Sequence, residues 1–358
     1  MNIIIDKRDK RDYWPTDEWR TTDPASVGMD PGKFTYLEDM IKSQYINING
    51  IAIVRKGYLT YEKYYNGYTP LDTHNVASVT KSFISALIGI AIDAGYIQSV
   101  DQKVLEFFPE YVSNPGDIRK RVITIRHLLT MTAPIASKTS GARWEPLDRL
   151  RRQPDWEKYI LDLLGNGQTG KFQYSTAGAH LLSAIITRTT GVCAREFANQ
   201  HLFRPLGIKE IPDHDMKSFQ LDDVFGKNVT GWIKDPQGNT TGGWGLTITL
   251  RDMARFGFLY LNRGIWENKR IISETWIVES IASHSDTWID DPVAKYGYLW
   301  WLREKDDIFA YAALGSGGNV ICCIPEKDLV VAVASKIISK PQDPWLLLDK
   351  FIIPAVKD

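Results

Sequence analysis

Residues 308–335 read IFAYAALGSGGNVICCIPEKDLVVAVAS: three apolar runs parted by one glycine-rich and one charged turn. Runs of this length and composition, bounded by turn residues, read as strands. Two more come early, at 51–54 and 58–65 in NGIAIVRKGYLTYEKYYNG, with Lys56-Gly57 as turn material. If the two ends of the chain lie together, these five strands pair into one mostly antiparallel sheet. Phe34, Leu37 and Ile41 fall at helical spacing in residues 34–44, and WLLLDKFIIPAV (345–356) supplies a last apolar helix. These first and last helices would flank the sheet.

Between the strands the signals are mainly helical: KSFISALIGIAIDAG, TIRHLLTMT, WEKYILDLLG, GAHLLSAIITRTTG and REFANQHLFRPLG. Several stop at Gly or Pro, as helices do. The expectation is an α+β protein of two domains. An α/β sheet domain comprises 1–75 and 245–358, and a mainly helical domain, 76–244, is inserted in it. A cleft between two such units is a common place for a small-molecule site.

Composition narrows the function. The chain has 358 residues, 44% hydrophobic and 24% charged, so it has material for a sizeable core and is neither disordered nor collagen-like. Lys plus Arg and Asp plus Glu both number 43, so no global positive field invites nucleic acid. The longest apolar stretch, 83–92, is about half of the roughly 20 residues that span a bilayer. The opening MNIIIDKRDKRDYW lacks the apolar region, about 7–15 residues long, of a secretory signal. Cys193 stands alone and Cys322 and Cys323 are adjacent, which is neither a disulfide framework nor a zinc motif. These features read as a cytoplasmic protein without a membrane partner. The charged run KRDKR (7–11) reads as a solvated start.

The first chemical signal is Ser78-Val79-Thr80-Lys81 at the head of the most apolar helix, and no other Ser has Lys three residues on. That spacing puts both side chains on one face. A serine hydroxyl needs a base beside it to act as a nucleophile. Burial and the positive end of a helix both favour the neutral amine that could serve. The backbone N–H of Ser78 would face a developing oxyanion. The competing interpretation is a helix-capping Ser with a solvated Lys.

The second signal is Tyr174-Ser175-Thr176 in GKFQYSTAGAHLLSAIITRTTG. With it the chain resembles the serine β-lactamase and penicillin-binding-protein superfamily, in its class C and esterase-like branch. The stretches ITIRHLLTMT, TGGWGLTITLRDMARFGFLYLNRGIW, YGYLWWL and ALGSGGNVICCIPEKDLVVAVAS match in order, from about Asp23 to the C-terminus. The resemblance implies the β-lactamase/transpeptidase-like fold, with Ser78 as acyl-accepting nucleophile, Lys81 as its partner and Tyr174 as proton shuttle. It implies Ser78 and Asn319 as backbone oxyanion donors, and a substrate site at Thr176, Ser316, Gly317, Gly318 and Trp244.

Two departures stand out. Thr176 replaces the family's Asn and cannot offer both an amide donor and a carbonyl. Ser316 replaces its Lys or His, which supplies positive charge toward a substrate carboxylate; Arg143 and Arg149 are the candidates to restore that charge.

The remaining motifs weaken other functions. His74, His127, His180, His201, His214 and His284 show no ligand spacing, so no metal is expected, and His127 reads as structural. No phosphate loop or GxSxG elbow appears, and no cofactor is implied. The expected protein is a serine hydrolase cleaving a small ester or amide through an acyl-enzyme. The alternatives are a D-amino acid peptidase or amidase, a β-lactamase-like enzyme, and a non-hydrolysing β-lactam or peptide sensor. Oligomeric state is not encoded in any of these motifs.

Overall fold

All eight residues of the strand Ile48–Arg55 (β1) are buried, because its two faces enter two different cores. Ile51 and Ile53 point into one; Ala52 and Val54 point into the other. A strand covered on both faces reads as a continuous apolar run. In the computed structural model, which describes residues 11–112, 117–135, 147–216, 218, 221–226, 228–287, 294–338 and 340–357, this strand lies within an eight-stranded sheet. Lys56 (φ +51°) and Gly57 (φ +87°) turn β1 into Tyr58–Tyr64 (β2), with the positive φ values of a tight hairpin turn.

A short strand, Thr73–Asn75 (β3), pairs with Thr247–Thr249 (β4) outside the main sheet. The rest of the sheet is late in the chain: Ser285–Asp286 (β5), Ala294–Tyr296 (β6), Trp301–Lys305 (β7), Ile308–Gly315 (β8), Asn319–Ile324 (β9) and Leu329–Ser335 (β10). The order is β2-β1-β10-β9-β8-β7-β6-β5, antiparallel throughout. Terminal strands therefore meet at β1 and β10, as expected, but the sheet has eight strands rather than five. The three extra ones, β5 to β7, are two to five residues long and carry no period-2 alternation that sequence could reveal.

The helix Pro31–Gln44 (α1) and the C-terminal helical stretch at 344–355 cover one face with Phe34, Leu37, Ile41, Leu347 and Ile352. The other face meets the buried helix Thr80–Asp93 (α2), which packs in turn on the helix Thr176–Thr190 (α3), and Leu250–Leu261 (α4), which lies directly on the sheet. Gly257 makes that approach possible. A Cβ there would come within 2.6 Å of Val330 Cγ1 and 2.8 Å of Ile321 Cγ2. Gly257→Ala should cost about 1–3 kcal/mol by overpacking. The check is a lower urea midpoint at unchanged slope.

Arg11 corrects the expectation of a solvated start. Its guanidinium makes two 2.7 Å bonds to the Asp328 carboxylate and one to Asn262, over the ring of Phe258. The rest of the KRDKR run lies outside the described residues.

Candidate active site

Ser78 sits in a single turn, Ala77–Val79, that runs directly into α2. Neither helix start carries a side-chain cap bond, so the hydroxyl is free for another contact. Lys81 lies one turn on, 1% exposed, with Nζ 3.0 Å from Ser78 Oγ. A capping serine beside a solvated lysine does not describe this pair. Nζ also donates to the carbonyl of Gly243 at 2.6 Å, across 162 residues of chain.

The turn is built with some strain. Ala77 takes φ +49°, an uncommon value for a residue with a Cβ. Asn75 holds it there: its Oδ1 accepts from Ala77 N at 2.9 Å, and its Nδ2 donates to Val224 O at 2.7 Å. Val76 N donates to Leu246 O, and Thr80 Oγ1 donates to Ala77 O, so both sides of Ser78 are anchored.

The acceptor Gly243 lies in the TGGWG loop, residues 241–245, pressed against the first turns of α3. A Cβ on Gly242 would fall 2.1 Å from Ala179 O, and one on Gly243 would fall 2.5 Å from Thr176 Cγ2. Thr176 therefore turns its methyl toward the loop that receives Lys81. Beneath the loop, His180 Nε2 and Asp235 Oδ2 are 2.9 Å apart and fully buried. Hydrogen bonds from His180 and Asn239 hold the Asp235 carboxyl below the usual range, outweighing the opposing effect of burial, which is the largest single influence. Trp244 is 8% exposed and packs on Phe225 at 6.0 Å, which places it in the core below the loop more than on an open cleft wall.

Tyr174 completes the cluster. Its ring centre is 4.8 Å from Lys81 Nζ on one side. Trp301 stacks on the ring at 6.0 Å and 27°. Tyr296 and Phe172 pack edge-on against Trp301, giving an aromatic wall. Burial, with the neighbouring Tyr174 phenol second, pushes the Tyr296 phenol well above its ordinary range.

The strand β8 ends beside Ser78. A Cβ on Gly315 would lie 2.3 Å from Val76 O and 3.3 Å from Ser78 N, so only glycine fits. Ser316 is exposed, and Gly317 (φ +88°) and Gly318 (φ +91°) bend the chain back to Asn319, which pairs with Gly315. Asn319 is wholly buried, and its amide is committed to Ser316 O at 2.9 Å and to both backbone groups of Ser335.

Other residues separate from this cluster. His127 closes a capping box with Thr124. Arg149 lies exposed on a short helix, and Arg143 is outside the described residues. Among the described residues, no three His, Cys, Asp or Glu side chains could hold a metal. Among them, too, no helix is long and apolar enough to cross a membrane. Sequence reasoning missed the Gly243 carbonyl, Asn75 and the His180–Asp235 pair; the double glycine of TGGWG was the one available signal.

The antiparallel sheet, its flanking helices and the Ser-x-x-Lys helix define the fold of the serine β-lactamases and penicillin-binding proteins. The Beta-lactamase family model matches residues 38–343, and the chain belongs to that family of hydrolases. It is 27% identical over 308 residues to a 6-aminohexanoate-dimer hydrolase of Paenarthrobacter ureafaciens, covering 80% of this chain and 72% of the relative. The octameric penicillin-binding protein homologue of Pyrococcus abyssi shares the fold with a TM-score of 0.67 and 22% identity, over 91% of this chain and 77% of that one. A hydrolase with promiscuous acyltransferase activity shares it with a TM-score of 0.69 and 17% identity, over 94% and 99% of the two chains.

Proposed function

We propose that this protein is a serine hydrolase that opens small ester or amide bonds through an acyl-enzyme on Ser78. The observation that carries the reading is the buried Lys81, held between Ser78 Oγ and the Gly243 carbonyl with the Tyr174 ring against it. Ser78 Oγ forms a bond to the substrate carbonyl carbon as its proton passes to the Lys81–Tyr174 pair. The carbonyl oxygen becomes the oxyanion. That proton then goes to the leaving alcohol or amine as its bond to carbon breaks. Water, deprotonated by the same pair, releases the acid and restores Ser78. The substrate would lie in a cleft between the helical segment and the C-terminal end of β8.

Ser78 N–H is one oxyanion donor in this scheme. For the second we propose Ser316 N–H in place of Asn319 N–H. The Gly315 carbonyl accepts from Gly318 N at 3.1 Å, inside the turn. In a trans peptide the C=O and N–H point in opposite directions, so the Ser316 N–H is aimed out of the hairpin. Gly315, the residue before it, is the one beside Ser78 N. Asn319 lies one strand behind, paired with Gly315. The similarity to a 6-aminohexanoate-dimer hydrolase supports including linear amides among the substrates. The direct test is intact-mass detection of a fluorophosphonate adduct, followed by turnover of p-nitrophenyl acetate, the 6-aminohexanoate linear dimer and a chromogenic cephalosporin. A single stoichiometric burst without turnover would replace the hydrolase reading by a sensor.

Ser316, exposed and uncharged next to Gly315, sets an expectation for substrate charge. A charge-assisted hydrogen bond to a carboxylate contributes about 1.5–3 kcal/mol, and a hydroxyl at this place forgoes it. Carboxylated β-lactams should therefore lose roughly ten- to a hundredfold in kcat/KM relative to neutral short-chain esters. Ser316→Lys or Ser316→His should move the ratio toward β-lactams. A wild-type kcat/KM for a cephalosporin above that for the neutral ester would sink this expectation.

A further inference from the structure

The turn at 316–318 is intrinsically soft. It contains two glycines at positive φ, and glycine moves between backbone basins at little cost. Yet three buried side chains secure its three successive carbonyls from behind. Ser316 O accepts from Asn319 Nδ2 at 2.9 Å, and Gly317 O accepts from Asn47 Nδ2 at 2.6 Å. Gly318 O accepts from Ser335 Oγ at 3.3 Å. The three donors are 0%, 8% and 4% exposed, respectively.

The donors are themselves fixed. Asn47 stands just before β1, where its amide also reaches Lys336 O at 3.1 Å and its own carbonyl accepts from Lys336 N at 2.8 Å. Asn319 Oδ1 accepts from Ser335 N at 2.9 Å. The clamp therefore joins the turn to the β1–β10 seam of the sheet. Since each peptide plane is rigid, the Asn47 bond to Gly317 O also fixes the Gly318 N–H. That N–H donates to Gly315 O at 3.1 Å and so holds the Gly315–Ser316 plane, which carries the Ser316 N–H.

We infer that Asn47, with Asn319 and Ser335, is a positioning residue of the oxyanion site: these side chains hold the glycine turn in the one conformation that keeps the Ser316 N–H aimed beside Ser78. This rests on the acyl-enzyme reading above. None of the three needs to touch substrate. Without the clamp, peptide planes of the turn rotate among several arrangements and the donor is in place for a fraction of the time. Removing an oxyanion donor outright costs on the order of 10²–10³ in rate, so loosening one should cost less.

The test compares p-nitrophenyl acetate with its thiono analogue, in which sulfur replaces the carbonyl oxygen and makes a poor hydrogen-bond acceptor. A merely structural defect slows both substrates alike, whereas a misaimed donor slows the oxygen ester selectively. Asn47→Ala should lower kcat/KM for the oxygen ester about ten- to a hundredfold, with the thionoester nearly unchanged and the loss mostly in kcat. Ser335→Ala, which removes only the longest of the three bonds, should move the oxo-to-thiono ratio in the same direction by a few-fold. It serves as well if Asn47→Ala does not fold. Equal losses on both substrates, or no loss in either variant, would overturn the inference. Fluorophosphonate labelling of Ser78 keeps the two levels apart. An unchanged ratio with Ser78 labelled removes the clamp alone, and a wild-type protein that never labels at Ser78 removes the underlying reading with it.

Discussion

Ser78→Ala should take up no fluorophosphonate and lose on the order of 10⁶ in kcat for ester hydrolysis, the cost of removing the nucleophile of an acyl-enzyme mechanism. The structure makes this a clean deletion. The Ser78 hydroxyl caps neither helix start, and its described side-chain contact is Lys81. Lys81 keeps the Gly243 carbonyl when that contact goes, so no buried polar group is orphaned. The strained Ala77 turn is held by Asn75 and not by Ser78. Thermal unfolding should therefore stay within a few degrees of wild type. Labelling that persists on another serine, located by peptide mapping, would overturn the assignment.

The sheet was legible where burial on both faces writes itself into the sequence. β1, β9 and β10 are buried at every position, and apolar runs bounded by turns announced all three. The strands β5 to β7, at one end of the sheet, were not legible because strands this short need only a few backbone bonds and impose no pattern. The Ser78–Lys81 pair was readable because one helical turn connects it. The Lys81–Gly243 bond was not, since a carbonyl acceptor has no residue type of its own. Arg11 shows the same limit from another side. A charge run looks solvated until its partner, here Asp328 at 317 positions' separation, is brought beside it. Asn47 is one more such case, a turn asparagine just before β1 whose amide finds Gly317 only in the fold. The family resemblance supplied Asn319, but the hairpin pairing moves the proposed donor to Ser316, because which N–H faces the site depends on the direction of a peptide plane.

Lys81→Ala and Tyr174→Phe should each slow acylation by about a hundredfold or more, and together by much less than the product. The proposed mechanism gives the reason: Nζ lies 3.0 Å from Ser78 Oγ and 4.8 Å from the Tyr174 ring centre, and the proposal has these neighbours serve one proton path. Once either member is gone the path is broken, and deleting the other removes little more. The two variants differ in stability. Tyr174→Phe keeps the ring that stacks on Trp301 and should unfold near the wild-type temperature. Lys81→Ala leaves the buried Gly243 carbonyl without its lysine donor, which costs about 1–3 kcal/mol. Rates should therefore be read well below the unfolding temperature of the weaker variant, as pre-steady-state release of p-nitrophenol from p-nitrophenyl acetate. If the logarithms of the two single losses add up to the loss in the double variant, Lys81 and Tyr174 act on separate steps and the shared proton path is wrong.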